Sequence, residues 1–173
     1  MARKYARTVL DVALVASPIG PLTVAARNGR VCTLHFGDVC AELIRRHGSD
    51  SVTMTRDPAG VVTALRAYFD GDLDALDRVD VDLAGTDFQR RVWSALRGIG
   101  AGRTASYADI ARAIGAPSAV RAVGAANGAN PVAIIVPCHR IIGTSGSLTG
   151  YGGGLDRKRW LLEHEGVFLR MPG

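Results

Sequence analysis

Cysteine is scarce, at three in 173 residues. An odd and small number excludes a disulfide framework and points to a reducing compartment. No apolar run reaches the ~18 residues a membrane-spanning helix needs. Lysine is nearly absent, with two against nineteen arginines, so the cations are of the type that suits forked contacts to phosphates and bases. Acidic residues thin out along the chain. Residues 1–85 hold ten basic and eleven acidic side chains, and residues 86–173 hold eleven and five. The second half is therefore the part suited to a polyanion. Known metal and nucleotide motifs are missing too. Cys32, His35, Cys40 and His47 match no zinc-finger spacing. The aspartates of 70–83 lack the glycine and distal glutamate of a calcium loop. The glycine-rich run 143–154 fits neither a phosphate loop nor a dinucleotide fingerprint.

What remains is an ordinary globular composition, 47% hydrophobic and 21% charged, with enough apolar material for a core. Val9–Ala16, Pro21–Ala26 and Arg30–Phe36 read as strands, and Asn28-Gly29 is a type I′ hairpin signal. Asp11 and the turn residues Pro18 and Gly20 make the first of these a strand rather than the core of a secretory leader, despite the basic Met1–Arg7 before it. Val39–His47 and Val61–Phe69 have helical spacing, with Leu65, Tyr68 and Phe69 on one face. The expected fold is α+β: a small N-terminal antiparallel sheet with helices over residues 1–84, including a solvated acidic connector at 70–83, then a mostly helical winged helix-turn-helix unit over 85–173. Cys32 and Cys40 are expected to be small core residues.

In the second unit Thr86 is an N-cap, and Phe88, Val92, Ala95, Leu96 and Ile99 form a stripe that ends at Gly100-Ala101-Gly102. Ser106–Ile114 and Ser118–Ala126 are two further helices joined by Gly115-Ala116-Pro117, which is the helix-turn-helix spacing. Val120, Val123 and Gly124 are expected to face inward. The later helix is built of small residues, with Arg121 as its one long projection. It is either a packing helix or a surface that lets a backbone approach nucleic acid. Val132–Val136 reads as a buried strand leading into Pro137-Cys138-His139-Arg140. A cysteine beside a histidine is a candidate activated nucleophile, but only ~3% of an ordinary thiol is ionised at neutral pH, so a base is required. Adjacent residues of an extended chain point opposite ways, so the pair can cooperate only if the chain bends, and Pro137 can set the bend. The glycine-rich run supplies a hairpin wing and a pocket wall. Leu155–Gly166 is the last helix, with Leu155, Arg159, Leu162 and Gly166 in line. Glu163 and Glu165 are both candidates to orient His139, and spacing does not choose between them. On these residues alone a DNA-binding regulator and a cysteine hydrolase also stand.

The ordered set Gly85-Thr86-Asp87-Phe88-Gln89, Ser106-Tyr107, Arg121-Ala122-Val123-Gly124, Asn130-Pro131, Pro137-Cys138-His139-Arg140, Gly150-Tyr151 and Lys158–Glu165 resembles the O6-alkylguanine-DNA alkyltransferases. The resemblance covers residues 85–166 closely, and Ser17–Leu22 is similar to the family's N-terminal strand turn. It implies repair by transfer of the alkyl group from O6-alkylguanine, and from O4-alkylthymine, to Cys138, irreversibly and once per molecule. The target base would be flipped out of double-stranded DNA. His139 would take the thiol proton through water, Glu165 would orient His139, and Asn130 would hold the turn that presents the cysteine. Tyr107 would donate a hydrogen bond to the departing guanine. Arg121 would fill the gap in the minor groove, with Ala119, Ala122, Gly124 and Arg103 also at the DNA. Tyr107, Ile141, Tyr151 and Gly152 would line the substrate pocket. No cofactor and no metal are implied, and the expected setting is a cytoplasmic monomer. Gly100 departs from the family's usual proline, and Gly152 from the serine of some members.

Overall fold

The computed structural model describes residues 9–168; the basic Met1–Arg7 segment lies outside them. Strands β1 (Leu10–Val15), β2 (Leu22–Arg27) and β3 (Arg30–Phe36) form an antiparallel meander. Asn28 and Gly29 turn the β2–β3 hairpin with φ of 52° and 73°, the pair of positive angles that a type I′ turn demands. Helix α1 (Cys40–His47) then returns the chain to a short strand β4 (Val52–Met54), which pairs parallel with β1. The sheet order is β3-β2-β1-β4. The sheet is thus mixed rather than purely antiparallel, because a helical return delivers β4 in the same sense as its neighbour. Cys32 and Cys40 are half-buried beside the small cluster of Leu10, Val12, Ala25 and Leu43, at the margin of the core rather than in it.

Helix α2 (Val61–Phe69) packs Val61, Val62, Leu65 and Tyr68 inward. The acidic stretch that follows is solvated only on its polar side. Ala75, Leu76, Val79 and Val81 are buried, and Val31 N–H donates to the Asp80 carbonyl at 2.9 Å. Helix α3 (Asp87–Arg97) opens on a complete capping box between Thr86 and Gln89 and buries Val92, Trp93 and Leu96. Its end comes at Gly98, before the expected Gly100. Helices α4 (Tyr107–Ala113) and α5 (Val120–Gly128) follow, α4 again with a capping box, from Ser106 and Asp109. On α5 the inward residues are Val123, Ala126 and Asn127, while Val120 is exposed. The helix starts two residues later than the expected Ser118, and Val120 falls on its outer first turn.

Val132–Val136 is buried, but it is not a strand. Ile134 takes φ 68°, a region that β-branched residues avoid, and the run doubles back with Val136 N–H donating to the Val132 carbonyl at 3.0 Å. It is held to β3 through bonds of Leu34 to Pro131 and of Ala133 to Leu34. The glycine-rich run forms no hairpin among the described residues. Just before it Ile141 forms a bridge with Ala105, and within it a turn closes at Gly143 and Ser147. Helix α6 (Leu155–His164) completes the fold. Its inner face is Lys158, Leu161, Leu162 and Glu165, whereas Leu155 is exposed. The stripe is rotated from the expected Leu155–Arg159–Leu162–Gly166 line because a lysine and a glutamate find buried partners. One apolar cluster runs from Ala13 of β1 to Leu161 of α6 and takes in the sheet, α2, α3 and α5.

Candidate active site

Pro137 caps a single 3₁₀ turn, Cys138–Arg140, and all three of its residues are buried. Successive side chains on such a turn are rotated by about a third of a circle rather than a half, so Cys138 and His139 no longer point apart. Asn130 fixes the turn. Its Nδ2 donates to the Val136 carbonyl at 2.8 Å and lies 3.1 Å from Cys138 Sγ, while its Oδ1 accepts from Val132 N–H at 3.0 Å.

Behind the cysteine is a saturated carboxylate. Glu165 Oε1 accepts from Tyr68 Oη at 2.7 Å, His139 Nε2 at 2.9 Å and Arg140 Nη2 at 2.9 Å, and Oε2 accepts from Arg140 Nε at 2.9 Å. Arg140 also donates to the Ile99 carbonyl. Burial alone pushes the Glu165 carboxyl upward, but the bonds from His139 and Arg140 overcome it and hold the group at about 2. Burial drives the His139 ring down from the ordinary imidazole value more strongly than Glu165 raises it, so the ring is neutral. With an ionised acceptor at Nε2, the one proton of a neutral ring sits there. Nδ1 keeps its lone pair, and it is buried with no protein partner. Burial raises the Cys138 thiol above its ordinary value, partly offset by the Asn130 bond. At rest the site therefore holds a protonated thiol and a base with a free lone pair.

Cys138 opens onto a cavity of about 300 Å³, at the small end of the range for organic ligands. Tyr107 of α4, Gly124, Asn127 and Gly128 of α5, Tyr151, Gly152 and Gly153 of the glycine-rich run, and Leu34, His35 and Phe36 of β3 form its walls. Ile141 is fully buried and not on the wall; its carbonyl accepts from Lys158 Nζ. Arg121 and Ala122 are exposed on α5, Ala119 is half-buried at its start, and Arg103 is exposed in the loop before α4. The outer side of α5 thus carries one long cation among small residues, and its inner side reaches the cavity. Glu163 is exposed and Glu165 is buried, which separates the two glutamates.

Three residues of the site escape sequence reasoning. Tyr68 looks like a core aromatic, and only the fold brings its hydroxyl to Glu165. Arg140 follows the histidine directly, but nothing local says that it folds inward. Lys158 is fully buried, donates to the carbonyls of Ile141 and Thr149, and is driven down by burial to about 8. Its spacing with Leu161, Leu162 and Glu165, as i, i+3, i+4 and i+7, is the signal that could have found it. No group of three or more His, Cys, Asp or Glu among the described residues is placed to hold a metal ion, and no described helix is long and apolar enough to cross a membrane.

Comparison with known proteins gives concordant matches. The family description "6-O-methylguanine DNA methyltransferase, ribonuclease-like domain" matches residues 11–83, and "6-O-methylguanine DNA methyltransferase, DNA binding domain" matches residues 87–167. A methylated-DNA–protein-cysteine methyltransferase of Mycobacterium tuberculosis is 54% identical over 154 residues, covering 87% of this chain and 89% of its own. The protein of that name from Salmonella typhimurium is 45% identical over 163 residues, covering 90% and 95%. The structure of Mycobacterium tuberculosis OGT in complex with DNA is similar with a TM-score of 0.76 at 50% identity, over 90% of this chain and 92% of that one.

Proposed function

The chain belongs to the 6-O-methylguanine DNA methyltransferase family, and from that membership we propose how its own residues perform DNA repair by alkyl transfer. Cys138 is the acceptor. Its proton passes through a water to Nδ1 of His139, whose ring Glu165 and Arg140 hold in register. The thiolate sulfur then displaces guanine from the alkyl carbon. One S–C bond forms, the C–O6 bond breaks, and the thiol proton ends on the released guanine by way of His139 and solvent. Tyr107 donates a hydrogen bond to the ring as it gains charge. The thioether product has no good leaving group, so each molecule acts once.

Sulfur cannot reach O6 inside a base stack, so the base is flipped, at a cost of a few kcal/mol that a damaged pair reduces. Arg121 enters the gap. Ala119, Ala122 and Gly124 let α5 approach double-stranded DNA closely, and Arg103 lies within reach of phosphate. Tyr151 and Gly152 flank the base in the cavity. O4-alkylthymine is a second substrate. We assign the sheet and connector, residues 1–84, to one domain and residues 85–173 to a DNA-binding and alkyl-acceptor domain, in a protein that works as a cytoplasmic monomer.

The single supporting observation is the Cys138 sulfur on the wall of a base-sized cavity, with Asn130 against it and the His139–Glu165 pair behind. The test is intact mass after incubation with O6-methylguanine duplex. One methyl in place of hydrogen, about 14 Da, is expected on Cys138 and none on the Cys138→Ser variant. Full transfer by that variant would overturn the assignment. Tight binding without loss of methyl would mark a sensor, and turnover of an ester would mark a hydrolase.

A further inference from the structure

Asn127 is a polar residue on the cavity wall that the transfer mechanism leaves unused. It is 6% exposed, and it lines the cavity together with Cys138 and Tyr107. Its Oδ1 is buried with no hydrogen-bond partner, and among the described residues nothing bonds its Nδ2. A buried carboxamide oxygen with no partner is costly and rare in folded proteins. The neighbouring Asn130, three residues on, spends both ends on the turn at Cys138. Asn127 therefore differs from a structural amide in the same segment.

We infer that Asn127 reads the flipped base through its guanine-specific edge. A carboxamide offers a donor and an acceptor side by side, and it matches a base edge that presents an acceptor beside a donor. In O6-alkylguanine that edge is the 2-amino group with an adjoining unprotonated ring nitrogen. O6-alkylhypoxanthine lacks the amino donor. O4-alkylthymine presents ring nitrogen and O2, both acceptors, so at most one bond forms. Rotation of the amide exchanges its two ends without changing the match. Asn127 thus sets specificity for guanine over other O-alkylated bases, and it does so without touching the alkyl group.

The inference rests on the alkylguanine reading above, and its test separates the two. Single-turnover rates of Cys138 methylation are measured by intact mass, on duplexes of one sequence carrying either O6-methylguanine or O6-methylhypoxanthine. The wild type, Asn127→Leu and Asn127→Ala are compared. The guanine-to-hypoxanthine rate ratio is expected to fall by about five- to tenfold in both variants, the size of the lost bond to the 2-amino group, while the hypoxanthine rate falls less, through loss of the bond to the ring nitrogen alone. A ratio takes no account of how much of a preparation is folded, so a partly unfolded variant still reports. An unchanged ratio, whether the two rates stay or fall together, overturns the assignment of Asn127. So does complete loss of transfer from both bases in both variants. Absence of any mass shift on wild-type Cys138 overturns the alkyl-transfer reading itself.

Discussion

Four donor atoms from three residues converge on the Glu165 carboxylate, and this one side chain fixes which nitrogen of His139 carries the proton. Its carboxyl is held at about 2 in the fold, against ~4.3 in an unfolded chain. A depressed carboxyl contributes stability that is complete above the unfolded value and is lost as pH falls toward the folded one. Urea unfolding of the wild type should therefore weaken by a few kcal/mol between about pH 4.3 and 2. Glu165→Gln should remove that slope and cost about 3–5 kcal/mol at neutral pH, because Arg140 is then buried unpaired. A variant as stable as the wild type, with the same acid slope, would show that the charge is not held as described. At this scale the sequence was legible where chemistry is local: Cys138, His139 and Asn130 stand within nine residues of one another. It was silent on Tyr68, 97 residues from its partner.

Among the elements, Thr86 capped α3 as expected, in a full capping box with Gln89, and the Asn-Gly hairpin turned as its residues dictate. The run Val132–Val136 misled, because five apolar residues read as a strand whether or not a partner strand is available. Here Pro131 and Ala133 bond to Leu34 and the chain folds back at Ile134, so tertiary contact overrides β propensity. The glycine-rich run shows the same limit. Its glycines answer to a neighbouring element rather than to a hairpin of their own: a Cβ on Gly153 would sit 2.5 Å from the Phe36 ring of β3 and 2.8 Å from the Tyr151 ring. Gly153→Ala should push this loop off β3, lowering thermal stability by roughly 1–3 kcal/mol and slowing transfer through misplacement of Tyr151. Calorimetry and single-turnover rates check both. Unchanged values would mean that the rings yield at no cost.

Across the whole molecule, charge and core divide the labour differently. The apolar cluster is continuous from the sheet to the last helix, while the net positive charge lies in the second half, where acidic residues are few. Affinity for duplex should accordingly fall linearly in log Kd against log salt as counterions return to the phosphates. Arg121→Ala should impair repair in duplex far more than reaction with free O6-benzylguanine, because its proposed work is on the stack and not on the sulfur. Equal losses on both substrates would argue against extrusion. The charge asymmetry was readable from the chain, whereas the continuity of the core was not, since buried apolar residues of the acidic connector stitch the two halves together. The resting state of the sulfur has a last consequence. A protein that is used up by one event cannot regenerate its reagent, so every copy squandered on a stray oxidant or small electrophile is a copy lost to the genome. Sunk in its cavity and kept protonated until the imidazole is called upon, Cys138 should outlast the half-exposed Cys40 toward iodoacetamide or peroxide, as a safety catch that only a fitting base releases.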